Sequence, residues 1–117
     1  MSTPTLRAGI ARRDITPVPG TELFGYPTQR IGHEVADALH VTALVLQSGE
    51  HSAAILSLDL CVLDEEEIAA MRRAIAAESG LDASCITLCA THTHSGPVTI
   101  ECWGWGEKNQ NYLDTIR

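Results

Sequence analysis

Two histidines separated by one residue form the pattern in this sequence that is best suited to chemistry. His92 and His94 lie in the segment THTHSGP at positions 91–97. Neutral imidazole is the commonest protein ligand for zinc, and a catalytic zinc ion typically takes three protein ligands and a water. Residues two apart in an extended chain point to the same side, so both imidazoles would face one side of the segment. Two histidines on one side could supply one or two of those ligands.

A simpler interpretation of the same pattern is a pair of polar residues at the end of a strand, one solvated and one hydrogen-bonded. The spacing alone favours this simpler interpretation over a metal site. Ser95 follows directly and offers a second chemistry, that of a serine hydrolase. No G-x-S-x-G motif surrounds this serine, so we predict a turn residue that acts with Gly96 and Pro97 to redirect the chain.

Composition excludes several classes of function. The 117 residues suit a single domain, and the net charge of -7 disfavours a nucleic-acid partner, because phosphate binding needs clustered basic residues. No segment approaches the ~20 apolar residues of a membrane helix. The first residues contain no apolar run typical of a signal peptide, so we expect a cytoplasmic protein with reduced cysteines. Cys61, Cys85 and Cys89 are predicted to be small buried residues of the core.

The elements that must position the histidines follow from the apolar pattern. Strands are expected at 6–15, 39–46, 53–60 and 85–90, with a hairpin joining the second and third strands. The long loop from 16 to about 36 is expected to be functional or mobile. A helix between the last two strands predicts a right-handed parallel crossover. The fold class is therefore α/β, a mixed β-sheet with flanking helices, and its functional edge lies where the last strand ends.

The helix before the last strand has clear boundaries. Asp64 is the predicted N-cap, with Glu67 as its capping-box partner, and Gly80 is the predicted stop. Helical spacing predicts a buried stripe, which consists of Ile68, Met71 and Ile75. A second helix is expected to begin near Asn111.

Several segments resemble, in order, the N-terminal part of the neutral, non-lysosomal ceramidases. ATHTHSGP at 90–97 resembles the segment of that family that supplies a zinc-binding histidine. AGIARRDITP resembles the opening strand and turn, and LFGY resembles the glycine-aromatic loop that follows. The stretch from Asp37 through ALHVTALVLQSG resembles the next strand, and AILSLDLCVL resembles the strand ending in an acidic residue. The similarity spans nearly the whole chain.

The resemblance implies roles for both histidines. His92 would bind Zn²⁺, and His94 would lie in the pocket and assist the substrate or the hydroxide. The family's other ligands, a histidine, a glutamate and a tyrosine, lie farther downstream than this sequence extends. Residues 1–117 are therefore expected to form a single partial domain, which is inactive alone. The complete protein would cleave an amide bond in a small molecule, either a lipid-like N-acyl substrate such as a ceramide or another amide.

Other residues and other functions stay open. Asp59 is expected to orient His92 or His94 as a catalytic carboxylate, or else to be an ordinary loop acid. Trp103 and Trp105 are expected either to line an apolar substrate channel or to pack against the rest of the domain. The alternative function is a small non-catalytic α/β module that binds a metal or a protein. A homo-oligomer is also possible, since two chains can share one set of ligands.

Overall fold

The computed structural model describes residues 5–117 as one four-stranded sheet with two α-helices. The strands are β1 (Leu6–Asp14), β2 (His40–Ser48), β3 (His51–Leu58) and β4 (Ile86–Ala90). The helices are α1 (Glu65–Ser79) and α2 (Gln110–Ile116), and a 3₁₀ turn, Ala83–Cys85, precedes β4. The α/β class with a mixed sheet is confirmed, and the predicted strand ends are wrong by only one or two residues.

The strand order β1-β2-β3-β4 brings the ends of β3 and β4 together. β1, β2 and β3 pair antiparallel, whereas β3 and β4 pair parallel with Leu58 opposite Ala90. The predicted hairpin joins β2 to β3, and the predicted parallel crossover runs through α1. Because the carboxyl ends of β3 and β4 are neighbours, the segments that follow them leave the sheet at the same edge.

Helix α1 begins and ends where its sequence predicts. The Asp64 carboxylate accepts a hydrogen bond from the Glu67 backbone N–H at 2.9 Å. Gly80 adopts φ 74°, and its N–H donates to the carbonyl of Ala76. The expected capping box is wrong in one respect, because the Glu67 side chain bonds to Arg117 and Gln110 at the other end of the chain instead of to Asp64.

Two apolar clusters hold these elements together. The larger one joins the end of β3 to both helices and consists of Ile15, Leu58, Leu60, Met71, Tyr112 and Leu113. The buried Tyr112 hydroxyl donates a 2.7 Å hydrogen bond to the carbonyl of Ile15, which fixes α2 against the end of β1. The smaller cluster, formed by Phe24, Cys61 and Val98, lies next to the histidine segment.

The expected burial of the cysteines is only partly correct. Cys61 is buried, as predicted, but Cys85 and Cys89 are exposed. β4 is an edge strand of the sheet, and residues at alternate positions along it face away from the core. Ile86 occupies the buried side of this strand, whereas Cys89 lies on the opposite side and Cys85 belongs to the 3₁₀ turn before the strand.

The long loop after β1 is held in place by main-chain hydrogen bonds. Gly20 donates to the carbonyl of Gly32 at 2.7 Å, and Leu23 donates to the carbonyl of Arg30 at 2.8 Å. The Phe24 N–H donates to the Gly96 carbonyl at 3.0 Å, which ties this loop to the histidine segment. Among residues 5–117, no helix combines the length and the apolar character needed to cross a membrane.

Candidate metal centre

The histidine segment leaves β4 alongside the segment that leaves β3. The Thr91 N–H donates to the carbonyl of Leu58 at 2.9 Å, and the His92 N–H donates to the carbonyl of Leu60 at 3.0 Å. His92 adopts φ 67°, the left-handed region, so the extended geometry assumed from the sequence ends at this residue. A left-handed conformation costs a non-glycine residue roughly 1–2 kcal/mol, and strained residues of this kind cluster at functional sites.

The two imidazoles meet despite this change of backbone direction. Their Nε2 atoms lie 3.3 Å apart, and their ring planes are inclined by 74°. Both side chains therefore face one side, as expected. The left-handed conformation of His92 brings them together, and not an extended strand that continues through this residue.

Main-chain carbonyls determine which nitrogen of each imidazole carries hydrogen. The Nδ1 atom of His92 lies 3.0 Å from the carbonyl oxygen of Cys61, and the Nδ1 atom of His94 lies 3.2 Å from that of Gly25. A carbonyl only accepts hydrogen bonds, so each Nδ1 must be the donor. In the neutral rings, both Nε2 atoms then present lone pairs to each other, which is unfavourable unless a proton or a metal ion lies between them.

The distance between the two Nε2 atoms matches that of two ligands on one zinc ion. Tetrahedral zinc with Zn–N distances of about 2.0–2.1 Å separates two nitrogen ligands by about 3.3 Å. The observed separation is 3.3 Å. The separation is compatible with one ion bound by both nitrogens, and it is equally the length of a hydrogen bond between the two rings.

Cys61 is the residue near this pair that sequence analysis missed as a candidate ligand. Its Sγ atom lies 3.5 Å from Nδ1 of His92, and potential ligand atoms of Cys61, His92 and His94 all lie within 4.8 Å of one another. Burial, followed by the nearby Cys102, raises the pKa of the Cys61 thiol. The parallel pairing of β3 and β4 could have indicated that Cys61 lies near His92, because it places the residues that follow the two strands side by side.

An apolar cavity of about 420 Å³ opens beside the two imidazoles. Apart from the histidines, it is lined by Phe24, Gly25, Cys61, Val62, Ile100, Cys102, Trp103 and Trp105. The two indole rings contact edge to face with centroids 4.9 Å apart, and Trp103 is 80% exposed at the rim. The tryptophans therefore line a cavity at the candidate site, as one of the two sequence interpretations expected.

Ser95 lies on the other side of the segment. Thr93 and Ser95 line a separate cavity of about 330 Å³, together with residues of the long loop such as Thr16 and Asp37. The Ser95 N–H donates to the Thr93 hydroxyl at 3.1 Å, which forms a local turn. Among residues 5–117, no histidine hydrogen-bonds to the Ser95 hydroxyl, so this serine lacks the base that a serine nucleophile requires.

Asp59 hydrogen-bonds to groups next to the histidine segment and not to an imidazole. One carboxylate oxygen accepts from the backbone N–H of His40 at 2.9 Å, and the other accepts from the Thr91 hydroxyl at 3.2 Å. Within the described part of the chain, neither oxygen hydrogen-bonds to His92 or His94. The carboxylate connects the start of β2 to the residue before His92, which fits the loop-acid interpretation of Asp59.

The glycine-aromatic loop packs directly against His94. Gly25 adopts φ 100°, and a Cβ atom at this position would lie 2.2 Å from Nδ1 of His94. The Tyr26 ring contacts the His94 ring edge to face at 5.9 Å between centroids, and the Arg30 guanidinium lies 4.4 Å from the centre of the Tyr26 ring. Only glycine allows the carbonyl at position 25 to approach the imidazole this closely.

Comparison with known proteins finds similarity at the level of structure. No family model and no curated protein matches the sequence. A ceramidase complexed with C2 matches 98% of this chain with a TM-score of 0.79, and the neutral ceramidase from Pseudomonas aeruginosa matches 99% with a TM-score of 0.78. Both are 20% identical to this chain, which covers 19% and 20% of their respective lengths.

The matches extend over the whole described chain but over only about a fifth of each ceramidase. At this level of identity they establish the fold, which is the one that the sequence resemblance implied. The chain therefore has the fold of one part of the neutral ceramidase structures.

Proposed function

We propose that this chain supplies part of the zinc site of a hydrolase that cleaves an amide bond. The observation that carries the proposal is the pair of Nε2 atoms 3.3 Å apart, both freed for metal binding by Nδ1–H contacts to carbonyls. His92 is the proposed zinc ligand, and Nε2 of His94 faces the same position. The ceramidase fold of the chain supports the same assignment.

The residues of the chain prepare this position for chemistry. A bound zinc ion would supply a water of lowered pKa and would polarise the amide carbonyl. The Cys61 and Gly25 carbonyls hold the two rings in the orientation and tautomer that ligation or proton transfer at Nε2 requires. Phe24 and the tryptophans form an apolar wall on one side of the imidazoles, which are themselves exposed.

The same wall indicates the class of substrate. A cavity of about 420 Å³ with almost entirely apolar walls favours an apolar group next to the scissile amide. One of the similar structures is a ceramidase complexed with C2. We therefore propose an N-acyl, lipid-like amide of the ceramide type as the substrate. Hydrolysis itself is proposed for a protein in which further residues complete the site, because this chain spans about a fifth of the ceramidases that it matches.

The first test is the zinc content, measured by elemental analysis, of a protein that joins this chain to the remainder of the hydrolase domain. His92→Ala is compared with His51→Ala, which removes an exposed histidine at the β2–β3 hairpin. We expect zinc in the wild type and in His51→Ala, and its loss from His92→Ala. Circular dichroism checks that all three proteins are folded. Equal zinc content in the wild type and in His92→Ala would disprove the site.

The second test concerns the reaction. In a protein that joins this chain to the remainder of the hydrolase domain, we expect His92→Ala to abolish the release of fatty acid from a short-chain N-acyl sphingosine. An unchanged rate of release would exclude a metal-dependent mechanism through His92.

A further inference from the structure

We propose that Trp103 is a specificity-determining residue, whose indole ring covers an alkyl chain attached to the scissile amide. The inference deepens the proposed function and rests on it for the position of the amide beside the imidazoles. It assigns a role to a side chain that contributes little to the packing of residues 5–117.

The backbone around Trp103 forms a tight turn in which a tryptophan is unusual. The Trp105 N–H donates to the carbonyl of Cys102 at 3.0 Å and closes the turn. The two central residues, Trp103 and Gly104, have φ of 53° and 72°. Positive φ at both central positions is typical of a type I′ turn, in which glycine, asparagine and aspartate predominate. Trp103 is therefore a strained residue, and such residues cluster at functional sites.

The burial of the two tryptophans shows which of them the fold uses. Trp105 packs against the smaller apolar cluster of Phe24, Cys61 and Val98. Trp103 is 80% exposed, and its aromatic contact is the edge-to-face one with Trp105. A large apolar ring left in water forgoes the stabilisation that its burial would give. Strain and exposure together indicate that Trp103 serves contact with a ligand.

The cavity beside the imidazoles indicates what this ligand group is. His92, His94 and Trp103 line the same cavity of about 420 Å³. Among the described residues that line it, none is an aspartate, a glutamate, a lysine or an arginine, so no side chain there would pair with an ionised head group. An uncharged alkyl chain fits these walls, with its amide at the imidazoles and its methylene groups against the indole ring.

Hydrolysis of two substrate series tests the role of Trp103 in a protein that joins this chain to the remainder of the hydrolase domain. One series lengthens the acyl chain of an N-acyl sphingosine from acetyl to octanoyl, and the other lengthens the alkyl amine of an N-acetyl amide. Every substrate is kept below the concentration at which it aggregates. We expect kcat/KM of the wild type to rise about fourfold for each methylene group that the ring covers.

Trp103→Ala should lower the ratio of kcat/KM between long and short chains by at least roughly tenfold, the effect of uncovering two methylene groups. The series in which the ratio falls identifies the chain, acyl or amine, that the ring covers. Trp103→Phe should restore most of the ratio, because it keeps an apolar ring. Val18→Ala is the control, since Val18 is 75% exposed but lies outside this cavity.

Two results would overturn the inference. One is a ratio that Trp103→Ala leaves unchanged in both series. The other is an equal decrease of kcat/KM at every chain length, which would indicate a structural role or attachment to a lipid surface.

Fluorescence quenching provides a measurement that needs no turnover. An N-acyl amide that carries bromine at the end of its acyl or its amine chain quenches tryptophans that it contacts. We expect stronger quenching by one of these two probes in the wild type than in Trp103→Phe. Equal quenching of both proteins by both probes would overturn the role of Trp103 and leave the histidine site intact. Quenching at Trp103 in a protein that hydrolyses no amide would support the chain contact and overturn the proposed function.

Discussion

Main-chain carbonyls contact the Nδ1 atoms of both imidazoles and help to set their orientation. The carbonyl of Cys61 accepts from His92, and the carbonyl of Gly25 accepts from His94. A substitution at position 61 therefore removes the sulfur but keeps the hydrogen bond that orients His92.

Gly25→Ala should weaken zinc binding through His94. The added Cβ would lie 2.2 Å from Nδ1 of this histidine, so the ring must move away from its partner. Gly20→Ala is the matched control, because Gly20 has a similar φ of 94° and nothing within 4 Å of an added Cβ. Both variants should lose roughly 1–2 kcal/mol of stability to backbone strain.

Zinc affinity, measured by competition with a chelating dye, distinguishes these two glycine variants. We expect at least roughly tenfold weaker binding for Gly25→Ala, as for other losses of support around a metal ligand. Gly20→Ala should bind zinc like the wild type. Equal affinities in the two variants would mean that the position of His94 does not matter to the metal.

The sequence identified His92 and His94 because their spacing is local, but it did not identify Cys61 as their neighbour. The contact between Cys61 and His92 depends on the parallel register of β3 and β4, which a local pattern does not specify. The left-handed conformation of His92 was likewise not predicted, because no glycine marks it. The position of Asp59 near the end of a strand was predictable. The two groups that donate hydrogen bonds to its carboxylate, the His40 N–H and the Thr91 hydroxyl, are set by the tertiary fold.

At the scale of the elements, α1 and α2 are joined through a buried carboxylate. The side chain of Glu67 is 3% exposed and accepts hydrogen bonds from Arg117 and Gln110, with the Lys108 ammonium 3.6 Å away. Burial raises the pKa of Glu67, but the hydrogen bonds from Arg117 and Gln110 and the nearby positive charges outweigh it, so the pKa lies below its ordinary value.

The lowered pKa predicts how stability changes with pH. A carboxyl group whose pKa is lower in the folded protein stabilises it fully above the unfolded pKa, here 4.5, and this contribution is lost as the pH falls through the folded pKa. Glu67→Gln should therefore remove part of the acid sensitivity below pH 4.5. Urea unfolding of both proteins over a pH series measures the difference.

At neutral pH, Glu67→Gln should destabilise the chain by about 2 kcal/mol. The loss is smaller than the 3–5 kcal/mol typical of a fully buried pair, because Arg117 stays partly exposed. Glu66→Gln, an exposed neighbour in the same helical turn, should cost less than about 1 kcal/mol. Equal losses in the two variants would show that Glu67 contributes only through the helix dipole.

The elements differ in how far their sequence determined them. Both ends of α1 were predictable, because Asp64 and Gly80 act through contacts within one turn of the helix. The exposure of Cys85 and Cys89 was not, since it depends on which face of β4 the tertiary fold covers and on the 3₁₀ turn that contains Cys85. The contact of Glu67 with Arg117 joins residues far apart in sequence, so the local capping rule predicted the wrong partner.

At the scale of the whole molecule, the chain is elongated. Its dimensions are 61 × 28 × 20 Å, and its radius of gyration is 16.3 Å, against about 13 Å expected for a compact domain of 100 residues. All nine residues of β1 are exposed, and among residues 5–117 this strand has a partner on only one side. An exposed edge strand that carries apolar side chains favours pairing with another copy or another surface.

We therefore expect the isolated chain to self-associate through β1, with Ile10 as a main contact. Ile10 is 76% exposed at the middle of the strand, and Ile10→Lys would place a charge on this edge, which opposes strand pairing. Val18→Lys is the matched control, since Val18 is 75% exposed but lies in the loop after β1. Sedimentation velocity over a range of concentrations should show association in the wild type and in Val18→Lys, and a weaker tendency in Ile10→Lys. A wild type that stays monomeric, or two variants that behave alike, would show that β1 does not mediate association.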